Sequence, residues 1–304
     1  MNLDDFGMDT ISLAGPLEGK LHAMKEAGFT QVMLSARDIV SHEGGARGAI
    51  EAVRMSGLRV TGFQVLRDFE GLTGHLHEYK VDIAKGMLEL CHALGAPLIL
   101  VCSSTSTHAT GESEAAVTDL RKLATLGVPL GIRVAFEALS WGRHINEYFQ
   151  AWQIVERANH PNLGLGLDSY HILATGSSLE RLEDVYPEKI FLVQLADYMW
   201  HGIHSPQERM ETARHFRVFP GEGVHSKETA DLVLRLDAMG YYGAYSFEVF
   251  NDDYVQLPVS VVARRARESA RWLAAHVPRR SLPRRVVSSP RQPSLPSQHA
   301  VPDC

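Results

Sequence analysis

Apolar and polar positions alternate along the chain in a pattern typical of repeated β-strand and α-helix units. Nearly continuous apolar runs such as FLVQLA and NLGLGLD predict strands that are buried on both faces. The amphipathic stretches between them, such as LEGKLHAMKEAG and ADLVLRLDAMG, end at a glycine and predict helices. Eight such units follow one another, with strands expected at 7–13, 31–35, 60–66, 97–102, 133–139, 163–168, 190–196 and 244–250.

Eight βα units favour a closed (β/α)8 TIM barrel over an open, doubly wound sheet. A dinucleotide-binding sheet would carry a glycine-rich turn after its first strand, whereas this chain has SLAGPLEG there. A barrel of this kind takes about 250 residues, and we assign residues 1–275 of the 304 to it. Residues 276–304 are rich in proline, arginine and serine without an apolar period, which predicts a disordered tail.

Composition and charge narrow the classes of function. A formal net charge of -6 disfavours nucleic acid as a partner. No apolar run approaches the ~20 residues of a membrane span, and the acidic start MNLDDFGMDT does not resemble a secretory signal. The three cysteines lack metal-ligand or redox spacing, so we expect a cytoplasmic protein. With nucleic acid and membrane disfavoured, we expect it to act on a small molecule. The sequence leaves the oligomeric state open, a homo-oligomer included.

Four consecutive predicted strands each bring one polar residue to the carboxyl end of the barrel, where TIM barrels keep their active sites. Three carboxylates that converge in a poorly solvated mouth repel one another at a cost of about several kcal/mol, unless a cation compensates them. Oxygen ligands suit Mg²⁺, Mn²⁺ or Co²⁺ better than zinc. We therefore predict one divalent metal ion held by Glu137, Asp168, Gln194 and Glu248.

Two further residues are expected at the same end of the barrel. His171 follows Asp168 by three positions, and an imidazole there is able to exchange a proton near neutral pH. Arg67 follows the third strand, where its guanidinium is suited to a carboxylate on the substrate. The alternative for Arg67 is a surface ion pair with Asp68 or Glu70.

The long segment from 197 to 225 is expected to cover the substrate. Within it, Arg214 and His215 are the strongest candidates for substrate binding, because RHFRVFPGEG combines positive charge with a tight turn. His144, in WGRHIN after the fifth strand, is a further candidate. No lysine is placed at the barrel mouth for Schiff-base chemistry.

These motifs resemble the xylose isomerase-like barrel superfamily, which includes sugar epimerases, inosose dehydratases and endonuclease IV. Within it, the combination VLRDFEG, WGRHIN, LDSYH, VQLAD, RHFRVFPGEG and SFEVFND is similar to the bacterial 3-dehydroshikimate dehydratases. Gln194 matches the glutamine ligand of that family, whereas sugar epimerases usually present histidine there. Many of those relatives carry a second, dioxygenase-like domain, and the segment YMWHGIHSPQERMETA is less similar to them.

The resemblance implies conversion of 3-dehydroshikimate to protocatechuate and water, with the metal ion acting as a Lewis acid. It points to His171 as the first candidate for proton transfer, with Glu137 or Glu248 as alternative bases. Arg67 is expected to hold the substrate carboxylate. Two other interpretations stay open: a ketose or polyol epimerase or isomerase with a neutral substrate, and a noncatalytic metal-dependent binding protein.

Overall fold

A computed structural model of the chain describes residues 1–277. Eight parallel strands close into a barrel in which each strand pairs with its neighbours in the chain, and the last strand pairs with the first. This confirms the predicted (β/α)8 barrel. Strands β1 to β8 run over Phe6–Asp9, Gln31–Ser35, Arg59–Arg67, Leu98–Cys102, Arg133–Glu137, Leu163–Asp168, Ile190–Leu195 and Tyr245–Phe247.

Helices surround the barrel and bury its outer face. Phe136 of the fifth strand, for example, belongs to the same apolar core as Trp152 and Val155 of the helix that follows. The segment between the last two strands contains an antiparallel ribbon, in which Asp197–Tyr198 pairs with Arg217–Val218. Helices α1 to α10 run over Leu17–Glu26, Ala36–Val40, Gly45–Ser56, Gly74–Ala93, Ser113–Gly127, Tyr148–Ala158, Ser169–Thr175, Pro206–His215, Ser226–Met239 and Val259–His276.

A second, smaller apolar core fills the inside of the barrel. It consists of Met33, Leu98, Leu100, Cys102, Ala135, Leu139 and Leu192. Side chains two residues apart on a strand share a face, so Glu137 follows Ala135 inward and Gln194 follows Leu192 inward. The apolar layer therefore supports a polar layer at the carboxyl ends of the strands.

The first and last strands are shorter than predicted. Expected to reach 13 and 250, they end at Asp9 and Phe247. The hydroxyl of Ser12 replaces the missing ladder, because it donates to the backbone oxygen of Phe247 (3.2 Å) and accepts from the backbone N–H of Val249 (2.8 Å). Glu248 thus lies just beyond its strand, between two residues bound to Ser12.

The carboxyl end of the barrel domain also differs slightly from the prediction. Helix α10 includes His276, and Val277 is buried, one and two residues beyond the predicted boundary at 275. The rest of the predicted tail, 278–304, lies outside the described residues. Among residues 1–277, no helix combines the length and apolar character needed to cross a membrane.

Glu70, in the loop after β3, is a buried acid without a cation beside it. One of its carboxyl oxygens accepts from the backbone N–H of Ser104, and the other has no hydrogen-bond partner. The pKa of Glu70 is raised from 4.5 to about 8, chiefly by burial and to a smaller extent by the nearby carboxyl of Asp68. The folded protein therefore binds this proton more tightly than the unfolded chain does.

We expect Glu70→Gln to stabilise the protein relative to wild type at pH 8 but not at pH 4.5. A carboxyl whose pKa is raised by folding favours the folded state at low pH, and that contribution is lost as the pH rises from 4.5 to about 8. The relative gain should reach roughly 2–4 kcal/mol, measured by urea denaturation across this pH range. Glu89→Gln on the exposed side of α4 is the matched control. A gain that is the same at every pH would contradict the argument.

Candidate active site

Glu137, Asp168 and His171 meet at the carboxyl ends of adjacent strands. All three are buried, and one potential ligand atom from each lies within 4.8 Å of the other two. Gly166 leaves room for this approach, since a Cβ atom built there would lie 3.3 Å from the Cβ of Glu137. His171, the residue predicted to transfer a proton, thus lies next to two predicted metal ligands.

Two buried oxygens in this region have no hydrogen-bond partner in the described part of the chain: Oε1 of Glu137 and Oε1 of Gln194. The other carboxyl oxygen of Glu137 accepts from the thiol of Cys102 (3.1 Å). The amide nitrogen of Gln194 donates to Asp9 (2.6 Å), which leaves its oxygen available. Unsatisfied buried acceptors cost about 1–3 kcal/mol each. A hard divalent cation would satisfy both, so the side chains present fit the predicted metal ion.

Arg217 holds the remaining two predicted ligands together. Its Nη1 donates to Oδ2 of Asp168 (2.7 Å) and to Oε2 of Glu248 (3.0 Å). The guanidinium is buried between the rings of Tyr170 and Phe250, and the ribbon that carries it folds over the barrel mouth. The four predicted ligands are thus brought to one end of the barrel, with a fixed positive charge beside two of them.

The acids of the site are electrostatically strained. Burial raises the pKa of Glu137 well above its ordinary value, and Asp168 and Glu248 raise it further. Burial also raises the pKa of Glu248 to about 7, although Arg217 opposes this shift. Burial lowers the pKa of His171 to about 3, so its imidazole is neutral. Raised pKa values of this kind result when buried carboxylates lie close together, and a divalent cation would favour their ionised forms.

A cavity of about 330 Å³ opens onto these groups. Its wall includes Glu137, Glu248 and His171 together with Trp141 and Phe250. Four arginines also line it, namely Arg37, Arg67, Arg214 and Arg217. Such a concentration of positive charge at the entrance suits an anionic ligand.

Three of these arginines are available to a ligand. Within residues 1–277, Arg37, Arg67 and Arg214 form no salt bridge. The alternative ion pair of Arg67 is not formed, because Asp68 instead accepts from the backbone N–H of Thr105 (2.8 Å). Arg214 lies over the ring of Trp141, 5.9 Å from its centroid.

Comparison with known proteins places this geometry in a family. A family model described as xylose isomerase-like TIM barrel matches residues 21–276. The chain belongs to the xylose isomerase-like TIM barrel family. Among the curated proteins of similar sequence is the 3-dehydroshikimate dehydratase of Pseudomonas putida, 37% identical over 82% of this chain. The enzyme of the same name from Pseudomonas aeruginosa is 38% identical over 82% of this chain.

This member of the xylose isomerase-like TIM barrel family spans 38% of the length of both curated relatives. A solved structure described as a xylose isomerase-like TIM barrel/4-hydroxyphenylpyruvate dioxygenase fusion protein has 36% identity and a TM-score of 0.83. That match covers 88% of this chain and 42% of the fusion protein. The similarity therefore concerns the barrel and extends over nearly all of its described residues.

Two residues expected to bind substrate are not part of the cavity of this family member. His215 pairs with Asp252 (3.0 Å) at the surface. His144 lies 3.1 Å from the backbone oxygen of Ala109 and lines a separate cavity of about 250 Å³. Substrate binding by these two histidines stays a prediction, and the structure places both side chains outside the lining of this cavity. Arg214 precedes His215 and does line the cavity.

Three residues of the site were not singled out from the sequence. Arg217 was predicted only as part of the covering segment, and the sequence did not predict Asp9 or Arg37 as site residues. The signal for Arg217 is a charged residue between the apolar Val218 and Phe216 in a predicted cover. Asp9 ends β1 as Asp168 ends β6, but the strand predicted at 7–13 placed Asp9 in its interior, so the strand-end signal was absent.

Proposed function

We propose that this protein is a metal-dependent 3-dehydroshikimate dehydratase that forms protocatechuate and water. The observation that carries the proposal is the arginine-lined cavity directly above a buried cluster of acids. A neutral sugar would not need three arginines without carboxylate partners, whereas 3-dehydroshikimate carries a carboxylate. The names of the two Pseudomonas relatives support this substrate.

The charges in the site support an anionic substrate. Glu137, Asp168 and Glu248 contribute three negative charges when ionised, and a divalent ion together with Arg217 would balance them. A substrate carboxylate then needs one more positive group to offset its desolvation. Arg67 and Arg214, both exposed on the cavity wall, are placed to provide it.

The side chains divide the chemistry between them. When bound by Glu137, Asp168, Gln194 and Glu248, the metal ion would supply a Lewis acid for the substrate oxygens. His171 is the candidate for moving a proton, because it is neutral, lines the cavity and has its Nδ1 fixed by the backbone N–H of Ser140 (3.3 Å). Trp141 and Phe250 add apolar surface to the cavity wall.

The direct test is to mix purified protein with Mg²⁺, Mn²⁺ or Co²⁺ and 3-dehydroshikimate, and to follow protocatechuate by its ultraviolet absorbance. We expect product only with metal present. Ketoses and polyols, assayed in parallel by chromatography for epimers, should remain unchanged. Epimer formation without protocatechuate would replace the dehydratase proposal by the epimerase interpretation, and metal binding without any turnover would favour a binding protein.

Arg67→Ala should lower kcat/KM for 3-dehydroshikimate by a factor that corresponds to about 2–4 kcal/mol, because it removes one partner of a charge pair that substrate binding desolvates. Arg67→Lys should recover only part of this loss, since an ammonium group does not reproduce the planar two-donor fork. Steady-state kinetics and the content of bound metal are measured for both variants, and metal content should not change.

Arg143→Ala is the matched control, because this arginine lies at the same end of the barrel, is exposed and does not line the cavity. Its kcat/KM should remain within about 1 kcal/mol of wild type. If Arg67→Ala also stays within that range with its metal intact, Arg67 does not hold a substrate carboxylate.

A further inference from the structure

Asp9 is a fourth carboxylate in the barrel mouth, and the proposed chemistry gives it no task. It ends β1 and is fully buried. It does not line the cavity, so it is not placed to touch a substrate. A buried carboxylate next to three others is costly, and its retention in the site calls for a physical reason.

The contacts of Asp9 supply that reason. Three side chains from three different strands donate to it: the hydroxyl of Ser246, Nε2 of Gln64 (3.0 Å) and Nε2 of Gln194 (2.6 Å). The last two share Oδ2. All four side chains are buried, so water does not compete for these bonds. Asp9 is thus the common acceptor of three buried donors, one of which, Gln64, also lines the cavity.

The bond to Gln194 determines which end of its amide is available. An amide has a donor end and an acceptor end, and a carboxylate that already accepts from two other donors binds the donor end. The oxygen of Gln194 is thereby kept away from Asp9, and it is the buried oxygen left without a partner. Gln194 is also the register partner of Asp168 on the neighbouring strand.

We propose that Asp9 is a positioning residue that orients the Gln194 amide so that its oxygen faces the metal ion. This inference rests on the proposed metal-dependent function. Residues that orient metal ligands through hydrogen bonds typically change metal affinity by about 10–100-fold when replaced. Asparagine at position 9 is nearly isosteric with aspartate but presents an N–H to Gln194. That N–H favours the reversed orientation of the Gln194 amide, in which the amide nitrogen instead of the oxygen faces the cation.

The first experiment measures the affinity of metal-free protein for Mn²⁺ by isothermal titration calorimetry. Asp9→Asn should bind Mn²⁺ at least about 10-fold more weakly than wild type. Asp119→Asn is the matched control, because Asp119 is also a buried acid that accepts a hydrogen bond, from the backbone N–H of Gly71 (2.9 Å). Its affinity should equal that of wild type. Thermal unfolding of the metal-free variants verifies that each is folded.

The second experiment separates orientation from loss of charge. In Gln194→Glu the ligand has two equivalent acceptor oxygens, so an N–H at position 9 has a partner without turning any oxygen away from the metal. Asp9→Asn should therefore weaken Mn²⁺ binding in the wild-type background but not in the Gln194→Glu background. A double-mutant cycle measures this difference. If Asp9 acted only through its charge, the substitution would weaken binding by a similar factor in both backgrounds.

The outcomes separate the two proposals. Equal weakening in both backgrounds, or unchanged affinity of Asp9→Asn in the wild-type background, overturns the positioning role while wild-type turnover keeps the proposed function intact. A wild type that binds no Mn²⁺ and forms no protocatechuate overturns both. Weakening confined to the wild-type background, with Asp119→Asn unchanged, establishes Asp9 as a positioning residue.

Discussion

We expect Glu137→Gln to lower kcat/KM for 3-dehydroshikimate at least about a thousandfold, which corresponds to about 4 kcal/mol of activation free energy, and we expect EDTA to abolish turnover of the wild type. Glu137 is buried, and one of its carboxyl oxygens has no hydrogen-bond partner among residues 1–277. The amide that replaces it carries no charge and offers one oxygen instead of two. Kinetics at saturating Mn²⁺, with and without EDTA, measure both effects.

Re-addition of metal and a surface substitution are the controls for the expected metal requirement. Mg²⁺, Mn²⁺ or Co²⁺ added after EDTA should restore turnover, because the ligands are hard oxygen donors. Glu211→Gln, on the exposed surface of α8, should retain wild-type kinetics. Full turnover by protein stripped of metal would exclude the Lewis-acid role, and wild-type kinetics in Glu137→Gln would remove this residue from the ligand set.

Arg217→Met should destabilise the metal-free protein by about 3–5 kcal/mol, the cost of leaving buried charges without their partner. The substitution removes the two hydrogen bonds that Nη1 donates to the side-chain carboxylates of Asp168 and Glu248. Although burial lowers the pKa of Arg217, these carboxylates outweigh it and raise the pKa above its ordinary value, which shows how strongly the site favours the cation. Urea denaturation of metal-free protein measures the loss.

Bound metal should reduce that loss, because a divalent ion neutralises the same carboxylates and stabilises only the folded state. The unfolding experiment is therefore repeated in saturating Mn²⁺. Arg214→Met is the control: its guanidinium lies on the cavity wall without a salt bridge among residues 1–277, and its replacement should cost less than about 1 kcal/mol. An equal loss with and without Mn²⁺ would place the contribution of Arg217 outside the acid cluster.

Most of the fold could be predicted from local patterns. Two of the eight strands have the predicted bounds, and the others differ only at their ends. The largest differences are in β1 and β8, where a side-chain hydroxyl of Ser12 takes over the hydrogen bonds of the ladder. A hydroxyl that acts across more than 200 residues of chain leaves no mark in the local alternation of apolar and polar positions.

The barrel and the acids at its carboxyl end could be predicted from the chain, because strand burial and strand ends are encoded by neighbouring residues. The charges that surround those acids could not, because they depend on tertiary contacts. Closure of the barrel brings Asp9 to Gln194 across 185 positions, and folding of the covering segment brings Arg217 to Asp168 across 49. After β5, the path of the chain places His144 at a separate cavity. Such contacts depend on where loops return in space, and no local periodicity records that path.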